Sequence, residues 1–157
     1  MLALTLLLLL LAVLLPQGAV ATYSLGIRDS VMIAHSFDGA EFGPAQALHG
    51  ATYTVDVDFS AEDLEPKVNW VVDIGAASDL LAEVLKRYNF KHLNDIFPTE
   101  NTTTEFMCRA IHNDIASLVK AKCWKVSHLR VKLHESHKAW AEYSAPLLLH
   151  DDQKSVV

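Results

Sequence analysis

Apolar and polar residues alternate strictly from Ala51 to Phe59. Tyr53, Val55, Val57 and Phe59 fall on one side, and Thr52, Thr54, Asp56 and Asp58 on the other. A period of two sends successive side chains to opposite faces of an extended chain, so this run predicts a half-buried strand. Tyr23 to Phe37 predicts another, with Val31, Ile33, His35 and Phe37 sharing one face. Between the two, Asp38 to Pro44 gathers turn-forming residues into a loop. Ser60 to Lys67 is a polar connection, and the short run Trp70 to Ile74 predicts a third strand ended by Gly75. The period then changes. Leu80, Leu81, Val84, Leu85 and Tyr88 recur at helical spacing and predict a helix over Ala76 to Tyr88. Asn89 to Asn101 reads as loop. Thr102 with Glu105 three residues on is a capping box, opening a second helix with Met107, Ile111, Ile115 and Leu118 as its buried stripe. Period two returns in a fourth strand, where Leu129, Val131 and Leu133 face one way and His128, Arg130, Lys132 and His134 the other. The tail after Tyr143 is expected to be loosely held.

Strands, a helix pair and a closing strand give an α+β fold, a four-stranded antiparallel sheet with two helices packed on one face. Both edges of such a sheet are left unpaired. Residues 1–21 stand apart from this domain. Leu2 to Leu15 is almost continuously apolar, Pro16-Gln17-Gly18 breaks the run, and Ala19-Val20-Ala21 is a cleavage-like pattern. Together they read as a secretory signal peptide. No Lys or Arg precedes the apolar run, so an uncleaved anchor and a wrongly chosen start codon are the alternatives. The remainder divides into one domain over residues 22–145 and a loosely ordered tail over 146–157.

The net charge of −6 offers no basic patch, which argues against a nucleic-acid partner. Cys108 and Cys123, if one helix separates them, stand roughly 20 Å apart at the helical rise per residue. A disulfide needs Cα atoms within about 7 Å, so none is expected, and that sits poorly with an oxidising compartment. Yet Asn101-Thr102-Thr103 is a glycosylation sequon.

Candidate chemistry lies at the strand ends. His35 closes the first strand and His49 precedes the second, so antiparallel pairing brings both imidazoles to one end of the sheet. Converging neutral imidazoles are the beginning of a zinc site, while a hydrogen-bonded core histidine is the plainer reading of His35. Glu135 lies two residues past Leu133 on the core-facing side, where a carboxylate needs a partner unless the strand has already ended.

The segments AHSF, LHGATYTVDVDF, WVVDIGAASDLL, HLND, NTTTEF and VKLHES with AWAEY occur in one order over Tyr23 to Tyr143. In this they resemble the 6-pyruvoyl-tetrahydropterin synthase family, which includes the 6-carboxytetrahydropterin synthases. The resemblance implies the tunnelling fold, in which sheets of several subunits join into a barrel, and hence a homo-oligomer, a trimer or hexamer. It implies a small-molecule pterin ligand, with Glu135 as its anchor and Thr103 and Thr104 as further contacts. It implies zinc held by His35, His49 and a third histidine, where this chain has Ala51. Ala45 stands at the family's cysteine and Asn89-Phe90 at its Asp-His pair. His134 and His137 are the candidate replacements for the third ligand, and His92 and His137 the candidate bases beside Glu135. Two functions follow from the resemblance. One is a zinc-assisted carbon–oxygen lyase acting on a pterin triphosphate or a related pterin, with altered proton-transfer residues. The other is a non-catalytic pterin- or purine-binding oligomer. The leader directs the protein to the secretory pathway or an organelle, and a wrong start codon would leave it cytoplasmic.

Overall fold

The computed structural model describes residues 22–147. Two long strands carry the fold. β1 (Tyr23–His35) and β2 (His49–Ala61) pair antiparallel along their whole length, from Tyr23 opposite Ala61 to His35 opposite His49. β3 (Lys91–His92) runs parallel beside the end of β1, while β4 (His128–His134) and β5 (Trp140–Pro146) extend the sheet beyond β2. The order is β3-β1-β2-β4-β5. The described residues hold three α-helices: α1 (Ile74–Leu85), the single turn α2 (Leu93–Ile96) and α3 (Thr104–Ala121).

The period of two sorts the side chains as the sequence predicts. Val31, Ile33, Tyr53, Val55, Val57, Phe59, Leu129, Val131 and Leu133 are buried beneath α1 and α3. Each such side chain removed from water contributes roughly 1.5–3 kcal/mol, which is what pins the register. The opposite face is charged. There Arg28 and His134 bond to Asp56, Arg130 pairs with Asp58 at 2.6 Å, and Lys132 with Glu142 at 3.1 Å.

Several expectations are corrected. The sheet has five strands, because β5 follows β4 through a hairpin turn over residues 135–139. Its half-buried side is Ala141, Tyr143 and Ala145, an alternation with little hydrophobic contrast. The chain expected to loosen after Tyr143 stays in the ladder to Pro146, and Leu147 N–H donates to Ser127 O at 2.9 Å. Trp70 to Ile74 is no strand. Asp73 accepts from Ala76 N–H at 2.8 Å and caps α1, which starts at Ile74 and ends at Leu85 rather than Tyr88. Asn89 to Asn101 is not all loop, since it holds β3 and α2. The cap of α3 is Thr103, one residue later than predicted, accepting from Phe106 N–H at 3.3 Å. Val119, not Leu118, completes the buried stripe of α3.

Cys108 is buried, Cys123 is exposed, and both are free thiols. Among the described residues no helix is long and apolar enough to cross a membrane. The leader over residues 1–21 and the tail beyond Leu147 lie outside the described residues.

Candidate functional site

The β1–β2 register sets His35 directly across from His49 on the core face, with ring centroids 4.5 Å apart. His35 is buried, and its Nδ1 stands 3.1 Å from Thr102 O and 3.2 Å from Thr102 Oγ1. Its Nε2 is buried without a partner. Burial, and then the neighbouring His49, push the His35 pKa down, so the ring stays neutral. Nδ1 of His49 stands 2.8 Å from Ala47 O. Phe37 packs edge-on against His35 at 4.7 Å and touches Phe42, so the connection from β1 to β2 lies over the pair.

Two side-chain amides fix the chain as it leaves His35. Asn94 accepts from Ser36 N–H and donates to Ser36 O, both at 2.9 Å. Asn101 does the same to Asp38, at 2.7 and 2.8 Å. Each amide imitates a paired strand residue where no strand is available.

Thr102, Thr103 and Thr104 then take three different tasks at the start of α3. Thr102 is buried against His35, Thr103 caps the helix, and Thr104 Oγ1 donates to Glu135 Oε2 at 2.6 Å. A hydroxyl bonded to a carboxylate this closely is a charge-assisted contact. Glu135 is exposed, one residue beyond the end of β4, so the strand has ended as the plainer reading had it. It still stands at the N-terminal end of an 18-residue helix, where the dipole favours negative charge. Thr102 and Thr104, two residues apart, thus tie the buried imidazole and the carboxylate to the same helix end.

The other candidates scatter. His134 projects to the charged face of the sheet, 3.0 Å from Asp56, away from the histidine pair. His137 is exposed in the β4–β5 turn. His92 precedes α2, with Nδ1 3.4 Å from Asp95 and Nε2 buried without a partner, and it acts electrostatically on His35. Asn89 Oδ1 accepts from Met32 N–H at 3.1 Å, a bond to β1. Phe90 is 75% exposed at φ 57°. Sequence reasoning missed Thr102, Asn94, Asn101 and Tyr53. Asn94 carried turn propensity and Asn101 a glycosylation sequon, neither of which signals a bond to the β1 exit, and Tyr53 carried only its place in an alternating strand.

A family profile for 6-pyruvoyl tetrahydropterin synthase matches residues 24–146. The chain belongs to this family. Its fold is shared with the Caenorhabditis elegans 6-pyruvoyl tetrahydropterin synthase at TM-score 0.69 and 20% identity, covering 80% of this chain and 96% of that one. The Plasmodium vivax enzyme follows at TM-score 0.65 and 15% identity, and the Plasmodium falciparum enzyme at 0.63 and 14%, each covering 80% of this chain and 99% of the other. At such identities the likeness concerns the fold. No curated protein matches the chain.

Membership in a family of pterin lyases raises the question of its metal. His35 and His49 suit the task, because an Nδ1–H committed to a carbonyl leaves Nε2 free to ligate, the usual support of a metal-binding imidazole. A catalytic zinc needs three protein ligands, and Ala51 offers none. Among the described residues no three His, Cys, Asp or Glu side chains stand close enough to hold an ion. The residues present are one ligand short.

Proposed function

We propose that this protein binds a pterin through Glu135 and acts on it as a lyase of the 6-pyruvoyl-tetrahydropterin synthase type, with altered proton-transfer residues. The observation that carries this is the Glu135 carboxylate, exposed yet fixed by Thr104 at the N-terminus of α3. Thr104 engages one oxygen and the other remains open. A carboxylate so held accepts two parallel N–H groups from an aminopyrimidinone ring, which supplies both energy and orientation. The substrate class is a pterin triphosphate or a related pterin. Thr103 and Thr104 serve the ligand by forming the helix end and the anchor.

Zinc supplies acidification of substrate hydroxyls when it is bound. His35 and His49 would hold it, together with a third ligand that Ala51 does not supply. Proton transfer falls to His92 and His137. A site shared between subunits, built on the free edges of β1 and β5, makes the working form a homo-oligomer. The leader directs the chain to a membrane system, and Asn101 escapes glycosylation because its amide is committed to Asp38.

A second reading has its own support. At the family's Asp-His positions Asn89 is spent on a backbone bond and Phe90 cannot move protons, while Ala45 replaces the cysteine. On that reading the protein binds a pterin or a purine without turning it over.

The test is Glu135→Gln in protein starting at Thr22, with neopterin binding followed by fluorescence quenching. Losing a charged hydrogen bond costs roughly 1.5–3 kcal/mol, so affinity should fall about ten- to a hundredfold. Unaltered affinity overturns the anchor. Consumption of dihydroneopterin triphosphate then separates the two readings, since a pure binder leaves it intact.

A further inference from the structure

Tyr53 is fully buried in β2, and its hydroxyl has no hydrogen-bond partner. An unpaired O–H at such a place is costly, and phenylalanine would fill the same volume without that cost. The oxygen therefore calls for a use. The β2–β4 ladder ends with Thr54 opposite His134, so Tyr53 and Glu135 are the next residues just beyond it on the two chains. The Thr104 hydroxyl is near enough to bear on the Tyr53 pKa, but no hydrogen bond joins the two groups. Thr104 has already given its single proton to Glu135 Oε2 at 2.6 Å. What it has left is lone pairs, and the nearby phenol is a donor without an acceptor.

We propose that Tyr53 is a positioning residue for the ligand anchor: its O–H closes onto Thr104 Oγ1 when ligand binds, completing a relay from Tyr53 through Thr104 to Glu135. A hydroxyl that accepts one hydrogen bond donates a stronger one, so the relay tightens the hold on Oε2 and keeps the other carboxylate oxygen turned toward the ligand. Burial holds the phenol protonated, with its pKa pushed up to about 12, so it donates throughout the physiological range. Cys108, which also bears on the phenol, is committed elsewhere, its thiol donating to Ala141 O at 3.3 Å. The inference rests on Glu135 as the pterin anchor.

The experiment is a double-mutant cycle on neopterin binding, with thermal melts alongside. Tyr53→Phe should weaken binding by about 2- to 10-fold, the worth of one neutral hydrogen bond, while the melting temperature stays level or rises. Thr104→Val should weaken it further. The double variant should bind no worse than Thr104→Val alone, because Tyr53 acts only through that hydroxyl. Thr104→Ser keeps the hydroxyl and should restore the effect of Tyr53→Phe. Parental affinity in Tyr53→Phe overturns the relay, as does a double variant whose loss is the product of the two single losses. Glu135→Gln separates the two levels of failure. If it binds as the parent does, or if the parent does not bind neopterin, the anchor reading falls and the relay with it. If it alone loses affinity, the anchor stands and the relay is wrong.

Discussion

Replacing Asn94 by alanine removes both hydrogen bonds that hold Ser36, each 2.9 Å long and partly shielded from water. A neutral hydrogen bond is worth about 0.5–1.5 kcal/mol net, so Asn94→Ala should cost about 1–3 kcal/mol. With a urea slope near 2 kcal/mol per molar, in the middle of the usual range, the unfolding midpoint should fall by about 0.5–1.5 M. Asn94→Asp is the sharper variant. It keeps an acceptor for Ser36 N–H but turns a second acceptor toward Ser36 O, so it should destabilise at least as much as alanine. Hydrogen exchange at the Ser36 amide should speed up in both, while exchange in the middle of β2 should change only with global stability. An Asn94→Asp protein as stable as the parent would refute the two-way clamp. The same is true of Asn94→Ala with parental exchange at Ser36. The site is implicated directly, because Ser36 follows His35 and a loosened exit frees the ring from its place opposite His49. Asn101 makes the same pair of bonds to Asp38 in a more exposed setting. Water replaces them more readily there, so Asn101→Ala should cost less.

Thr103→Ala removes the acceptor for Phe106 N–H and should destabilise by about 1 kcal/mol in chemical denaturation, as the loss of a helix cap usually does. Arg28 foremost, with His134 beside it, holds the Asp56 pKa down to about 2 from its ordinary 3.8. A depressed carboxylate lends stability that is fully present above its ordinary pKa and is lost as the pH falls toward the lowered one. Melting temperatures of the parent should therefore drop between about pH 4 and pH 2 more steeply than those of Asp56→Asn, and equal slopes would count against the pairing.

The long strands were legible because one face of each is buried. Alternation through Tyr53, Val55, Val57 and Phe59 encodes both the strand and its core side, and that brings His35 and His49 to one end of the sheet. β5 escaped because burial on its inner side is shared by two alanines and a single tyrosine, so the alternation has almost no amplitude. Trp70 to Ile74 failed the other way. It is apolar enough for a strand, but Val71 and Val72 are buried as a lead-in to α1, and Asp73 turns the chain into the helix. The three consecutive threonines announced a helix start but not their division of labour. That division depends on which strand ends come near, His35 for Thr102 and Glu135 for Thr104, and those distances are set by tertiary packing. Asn94 and Asn101 look like turn residues in the chain. Their work is done on residues 58 and 63 positions away, which no local pattern records.

The metal question turns on a single position. Ala51 follows His49 by two residues, so a side chain there projects to the same face, and its partner Ile33 lies two register positions inside the His35–His49 pair. Histidine at 51 would thus join two imidazoles whose Nδ1 atoms are already committed to carbonyls. The parent, with two ligands, should bind zinc weakly. Ala51→His should bind it at least about tenfold more tightly, given that even an outer-sphere partner of a ligand is worth 10–100-fold in affinity. The larger side chain must fit where Ala51 packs against the core, so circular dichroism has to show the variant folded. Cobalt is the better probe, because its visible absorption reports coordination geometry as well as stoichiometry. His35→Ala or His49→Ala in the Ala51→His background should abolish the cobalt spectrum. His134→Ala should leave it unchanged, since that ring lies with Asp56 on the far face of the sheet. A folded Ala51→His protein with no gain in affinity would mean that His35 and His49 do not converge on one ion. Tight, stoichiometric binding by the parent that disappears in His92→Ala would instead make His92 the missing third ligand, its buried and unpartnered Nε2 having been held for that purpose.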